Sequence, residues 1–232
     1  MPARRGCERL RLFPPSTTDL DLSGALALGQ VEFFCARAGI TAIVGVDEAG
    51  RGPLAGPVTA AAFLLPLDED SLALLPKTLN DSKAMRPSAR LEAYHKLLAS
   101  PLAYAIAAAT PQEIDACNIR NATVLAMHRA VTALVRSRPA AGDCPVLVDG
   151  DLTLPVDNPQ AALVRGDGRS LAIAAASVLA KEYRDSLMQT LDLWYPGYGL
   201  AGHKGYPCPA HKDAIAVLGV SPVHRKSFRH AR

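Results

Sequence analysis

Three acidic sites lie far apart in the chain but share one local pattern. Asp47 and Glu48 follow the apolar run from Ile40 and precede Ala49-Gly50. Asp149 ends Val146-Leu147-Val148 and precedes Gly150, and Asp167 follows Leu163-Val164-Arg165-Gly166 and precedes Gly168. An Asp-Gly pair by itself is a common turn. In α/β sheets, however, ligands gather outside the carboxyl ends of strands, so three such ends point to one acidic cluster. Clustered carboxylates repel one another unless a cation sits among them. Mg²⁺ and Mn²⁺ prefer oxygen ligands, and two such ions ~3.5–4 Å apart activate a water and stabilise a leaving oxygen. Neighbouring side chains of a regular strand point to opposite faces. Asp47 and Glu48 therefore reach the same ion only if the strand ends or distorts at Ala49-Gly50.

Strands are needed to bring these acids together. Apolar runs predict buried strands over 41–48, 57–65, 102–109, 146–149 and 162–165. Thr110-Pro111-Gln112-Glu113 reads as a capping box with proline at the first helical position, opening a long helix with Val124, Met127, His128, Val131 and Leu134 on one stripe. Further helices are expected over 88–98, 170–190 and 210–218, and loops over 66–87 and 195–209. His128 reads as a half-buried structural side chain, not a ligand. Strands followed by alternating strands and helices imply an α/β fold, a mixed sheet flanked by helices, with a small C-terminal helical region.

The 232 residues, 49% of them apolar, suffice for one such domain over 39–232, with the helical part from about 190. Residues 1–38, with Pro14-Pro15 and a Ser/Thr/Asp cluster over 16–21, read as a flexible extension without the pattern of a secretory signal. Cys7, Cys35, Cys117, Cys144 and Cys208 are too scattered for a Cys-x-x-Cys site, which fits reduced thiols and a cytoplasmic location. No stretch approaches 18 consecutive apolar residues, so no membrane helix is expected. Net charge is +3, divided as +5 over residues 201–232 and −2 over the rest. A basic end beside an acidic centre suits a polyanion held over a metal, and a solvated basic tail suits it equally.

Two nucleotide motifs and a zinc site fail on detail. Arg51-Gly52 replaces the Lys-Ser/Thr of a phosphate-binding loop, and the glycines miss the dinucleotide spacing by one. His203, Cys208 and His211 lack a fourth ligand at a recognised spacing.

Five blocks in order settle the resemblance. They are Gly45–Val58, Asn80-Asp81-Ser82-Lys83, Val148-Asp149-Gly150, Gly166-Asp167-Gly168-Arg169 running into Ala174–Lys181, and His203-Lys204-Gly205-Tyr206-Pro207. Across about 40–230 the chain resembles type 2 ribonuclease H. The resemblance implies a ribonuclease H-like fold and a monomer. It implies endonucleolytic cleavage of RNA in RNA–DNA hybrids and nicking 5′ of single ribonucleotides in duplex DNA, with two Mn²⁺ or Mg²⁺ ions and 3′-OH and 5′-phosphate products. Matched position by position, Asp47, Glu48, Asp149 and Asp167 would be the catalytic metal ligands. Gly50, Arg51 and Gly52 would sense the ribose 2′-hydroxyl, and Tyr206 would stack on the next sugar. Lys83 and Lys181 would lie near phosphates. Asp185 would be a nearby acid, or simply the i,i+4 partner of Lys181. Two departures are Ala84 after Lys83 and Asp151 after Gly150, which adds a negative charge beside Asp149. A metal-dependent DNase of similar fold, or a non-catalytic nucleic-acid binder, would show much of the same pattern.

Overall fold

The computed structural model describes residues 9–10, 20–21, 27–80, 82 and 84–228. Two short strands, Arg9–Leu10 (β1) and Leu20–Asp21 (β2), pair antiparallel ahead of helix Gln30–Arg37 (α1). The main elements follow as Ala42–Ala49 (β3), Val58–Pro66 (β4), Glu69–Ala73 (α2), Pro87–Ala99 (α3), Tyr104–Ala109 (β5) and Pro111–Ser137 (α4). Then come Val146–Asp149 (β6), Gln160–Leu163 (β7), Leu171–Trp194 (α5), Leu200–His203 (α6) and Pro209–Leu218 (α7).

The main sheet is mixed, ordered β5-β4-β3-β6-β7. β3 and β4 are buried along most of their length and take its centre, where helices cover either side. β3 runs antiparallel to β4 and parallel to β6. On one face, Val44, Val46, Ala60 and Ala62 pack against Met127, Ala130 and Leu134 of α4. On the other, Ile43, Ala61 and Phe63 pack against Ile173, Ala176 and Val178 of α5. α5 can lie directly on β3 because a Cβ at Gly45 would collide with the Ala172 backbone. A third cluster, with Leu54, Met188, Leu200 and Ile215, ties the C-terminal helices to the loop after β3. Each fully buried Leu or Phe in these layers contributes about 1.5–3 kcal/mol.

The expected long helices and central strands are present, and the capping box at Thr110 forms through both of its reciprocal hydrogen bonds. Four features differ from expectation. α4 is broken at Asn118 (φ 68°), whose side chain accepts from Asn121 N–H and so caps a second helical segment. α2 lies inside the expected loop, started by Asp68 capping Ser71. The expected strand over 162–165 sits two residues earlier as β7. Asp167 is therefore not on a strand but in a 3₁₀ turn, Gly166–Gly168, after Arg165 in the left-handed region (φ 55°). Finally, α1 falls within the span read as a flexible extension, yet it buries Val31 and Cys35 against α5, so the packed body starts before residue 39.

Candidate active site

β3 delivers Asp47, β6 delivers Asp149 and the 3₁₀ turn delivers Asp167. One carboxylate oxygen of each lies within 4.8 Å of the others. Neighbouring parallel strands β3 and β6 place the first two side by side. Asp149 Oδ1 then accepts from Gly166 N–H at 2.7 Å, which holds the turn carrying the third. Asp47 is 2% exposed, and burial together with the charges of Glu48 and Asp149 pushes its carboxyl well above the usual range. Opposing that push are hydrogen bonds from Ser177 and from the Glu48 amide. An all-oxygen set of acids, two buried and one half-buried, fits a hard divalent cation.

Glu48 falls outside this group of three. β3 stays regular through Ala49, with Asp47 paired to Ala61, Glu48 to Ala60 and Ala49 to Thr59. Regular alternation turns neighbouring side chains apart, so the Glu48 carboxylate does not join the three that meet, yet its charge still acts on Asp47. Glu48 Oε1 stands 3.4 Å from Arg51 Nη1. Both residues line a cleft of about 360 Å³ with Gly50, Gly52, Ser82, Lys181, Arg184 and Tyr206. The glycine-arginine loop, Lys181 and the half-exposed Tyr206 ring are thus gathered at one opening.

Lys181 is tied to Asp185, its Nζ 2.8 Å from both carboxylate oxygens, so Asp185 is the i,i+4 partner. Lys83 lies outside the described residues. Its neighbour Ser82 is placed: its hydroxyl is 2.8 Å from that of Ser177, and its carbonyl accepts from Arg90. A chain of contacts thus runs from Asp47 through Ser177 to the loop before α3. The extra charge of Asp151 is met by Arg120, bonded to both its oxygens at 3.1 Å. The break at Asn118 starts the helical segment from which Arg120 projects.

Sequence reasoning missed Ser177, Arg184 and Arg225. The first two had a signal: Ser177, Lys181 and Arg184 are spaced i, i+4, i+7 and share one helix face. Arg225 had none, because it was counted in a basic tail and is instead fully buried. His203 and His211 bind backbone groups of the loop over 198–206, in keeping with their rejection as zinc ligands.

Comparison with known proteins identifies relatives of the chain and of its fold. The family model described as Ribonuclease HII matches residues 44–231. The chain is 50% identical over 196 residues to the ribonuclease HII of Syntrophotalea carbinolica, covering 84% of this chain and 89% of that one. It is 43% identical over 219 residues to that of Geobacter sulfurreducens, covering 94% and 95%. Among solved structures, ribonuclease H2 from Pyrococcus horikoshii superimposes with a TM-score of 0.66 at 26% identity, covering 82% of this chain and 95% of that one. Bst ribonuclease HIII in complex with Mn²⁺ shares the fold at a TM-score of 0.66 and 16% identity, covering 85% and 70%. The chain belongs to the ribonuclease HII family.

Proposed function

We propose that this ribonuclease H endonuclease, besides cutting RNA in RNA–DNA hybrids, nicks duplex DNA on the 5′ side of a single embedded ribonucleotide, leaving 3′-OH and 5′-phosphate ends. The observation that carries the reading is the placement of the three converging aspartates beside a cleft lined by Gly50, Arg51, Gly52, Lys181 and Tyr206. Asp47, Asp149 and Asp167 would hold Mn²⁺ or Mg²⁺, with Glu48 contributing from the cleft side. Bound there, two such ions supply a nucleophilic water near neutral pH and neutralise charge on the phosphate and leaving oxygen.

The protein's own groups do the rest. Only the 2′-hydroxyl separates RNA from DNA at a given site, so recognition needs backbone that approaches the ribose closely. Gly50-Arg51-Gly52 offers that backbone, and Arg51, 43% exposed, is free to exchange Glu48 for a phosphate. Tyr206 presents a flat apolar face to the neighbouring sugar. Lys181, held by Asp185, puts a fixed positive charge at the cleft wall. Ser177 orients Asp47. Holding substrate, metal ligands and attacking water in register is where catalysis by such a site originates.

The test pairs two duplexes of one sequence, one all-DNA and one with a single ribonucleotide, in Mg²⁺ and in Mn²⁺. Nicking of the second alone, 5′ of the ribonucleotide and lost in Asp149→Asn, is the expected result. Cleavage of both duplexes would assign the site to a DNase, and cleavage of neither, with a hybrid still cut, would remove the embedded-ribonucleotide activity.

A further inference from the structure

Two arginines, one from the middle of α5 and one from the segment after α7, are the most deeply buried charges among the described residues. Arg184 is 1% exposed and Arg225 0%. Neither forms an ion pair among the described residues. Instead their guanidinium groups donate to backbone carbonyls, five of which belong to a single loop. Arg184 Nε donates to Pro57 O at 3.0 Å and its Nη2 to Ala55 O at 3.1 Å, while Nη1 reaches Lys204 O at 3.1 Å. Arg225 donates from Nε to Gly56 O and from Nη1 to Arg51 O, both at 2.9 Å, and from Nη2 to Gly50 O.

Burying two cations without carboxylate partners costs several kcal/mol each, and an apolar pair of similar volume would often serve stability as well. Their geometry is what an apolar pair lacks. A guanidinium is a rigid planar fork with five donors, so three carbonyls bound to one fork have fixed relative orientations. The peptide plane carries the constraint across the bond: a carbonyl turned toward Arg225 turns the following N–H away from it. With the Gly50 and Arg51 carbonyls held inward, the Arg51 and Gly52 amides face away from Arg225. Gly50 permits the arrangement, because its φ is +98° and a Cβ there would collide with the Arg184 guanidinium. That glycine therefore makes room for a side chain from inside the protein as well as for a ligand from outside.

We infer that Arg184 and Arg225 are positioning residues for ribonucleotide recognition, fixing the Gly50–Pro57 loop so that its amides and the unneutralised positive charge behind them address the ribose 2′-hydroxyl and its phosphate. The inference rests on the proposed nicking at an embedded ribonucleotide and assigns that specificity a scaffold.

Arg225→Lys and Arg184→Lys keep the charge and lose the fork, and Arg225→Met loses both. In each lysine variant KM for the singly ribo-substituted duplex should rise about tenfold or more, the loss of one or more charge-assisted hydrogen bonds. Mn²⁺ affinity, followed by calorimetric titration, should stay within about twofold of wild type. In Arg225→Met the same KM should rise further. A lysine variant with wild-type KM, or a KM rise matched by an equal loss of Mn²⁺ affinity, would overturn the inference. For variants that do not fold, the Nε–H resonances of Arg184 and Arg225 in Asp149→Asn protein decide. They should shift on adding the ribo-substituted duplex and not the all-DNA one, and identical spectra with the two duplexes would equally overturn it. If wild type fails to nick the ribo-substituted duplex at all, the proposed function fails first, and that outcome is visible before any variant is made.

Discussion

Asp47 carries the largest electrostatic burden of the site. Burial and its acidic neighbours both raise its carboxyl, so near neutral pH its charged form costs the cation-free protein stability. The sign follows from linkage: a carboxyl raised on folding supports the fold at low pH, and that support is lost as pH rises through the folded value. Asp47→Asn should therefore raise Tm at pH 7 in EDTA, by about 2–4 °C for each kcal/mol relieved, while abolishing nicking and most of the Tm gain produced by Mn²⁺. A lower Tm than wild type in EDTA would show that the carboxylate's hydrogen bonds outweigh the repulsion. His224 tilts stability the other way. Burial, and then the neighbouring His211, push it from 6.5 to about 4. The unfolded chain takes up its proton near 6.5 and the folded one only near 4, so this stability is complete above 6.5 and drains away as pH falls toward 4. Calorimetry over that window should give a flatter Tm profile for His224→Gln than for wild type. Because both proteins keep Asp47, subtracting the profiles isolates the coupled His224–His211 pair.

At the scale of elements, what could be read in advance was set by how much of the signal is local. The capping box at Thr110 and the apolar runs of β3, β4 and β6 carry their own instructions, and those elements appear within a residue or two of where their patterns put them. The 3₁₀ turn under Asp167 depends on partners elsewhere. Gly166 is held by Asp149, and Ser170, at the start of α5, is bonded at 2.7 Å to the buried Glu32 of α1. Glu32 also accepts from Ala172 N–H at 3.2 Å, so it caps α5 from another helix. Nothing near residue 170 announces that, and α1 itself is too short and too weakly patterned to stand out. The break in α4 at Asn118 was equally silent, having neither glycine nor proline. Glu32→Ala should cost about 1–2 kcal/mol in urea unfolding, as loss of a cap does. Combined with Ser170→Ala it should cost less than the two single losses together. Strict additivity would dissolve the link between α1 and α5.

For the molecule as a whole, the family resemblance supplied the fold type and the reaction. The order β5-β4-β3-β6-β7 is a product of long-range pairing, which periodicity leaves open, whereas the convergence of the three aspartates was legible in their shared strand-end pattern. Charge was readable in amount but not in place. The excess of +5 over residues 201–232 includes Arg225, which is interior, so the basic end offers less surface charge than the count suggests. The exposed Lys212 and Lys226, with Arg51 and Lys181, should still make duplex binding salt-dependent. Raising KCl from 50 to 200 mM should increase KM roughly tenfold or more with little change in kcat. A KM indifferent to salt would mean that the duplex is held mainly by uncharged contacts.

Arg225 and Gly50 are bonded across 175 positions of sequence. During synthesis on the ribosome the acids of β3 emerge early, but the Gly50–Pro57 loop beside them lacks Arg225 until 175 positions beyond Gly50 have been added. A nascent chain thus holds Asp47, Asp149 and Asp167 before it holds the side chain that fixes the Gly50 and Arg51 carbonyls. If the loop reads the ribose as inferred above, discrimination is completed after the acidic cluster, and truncation upstream of Arg225 should forfeit it.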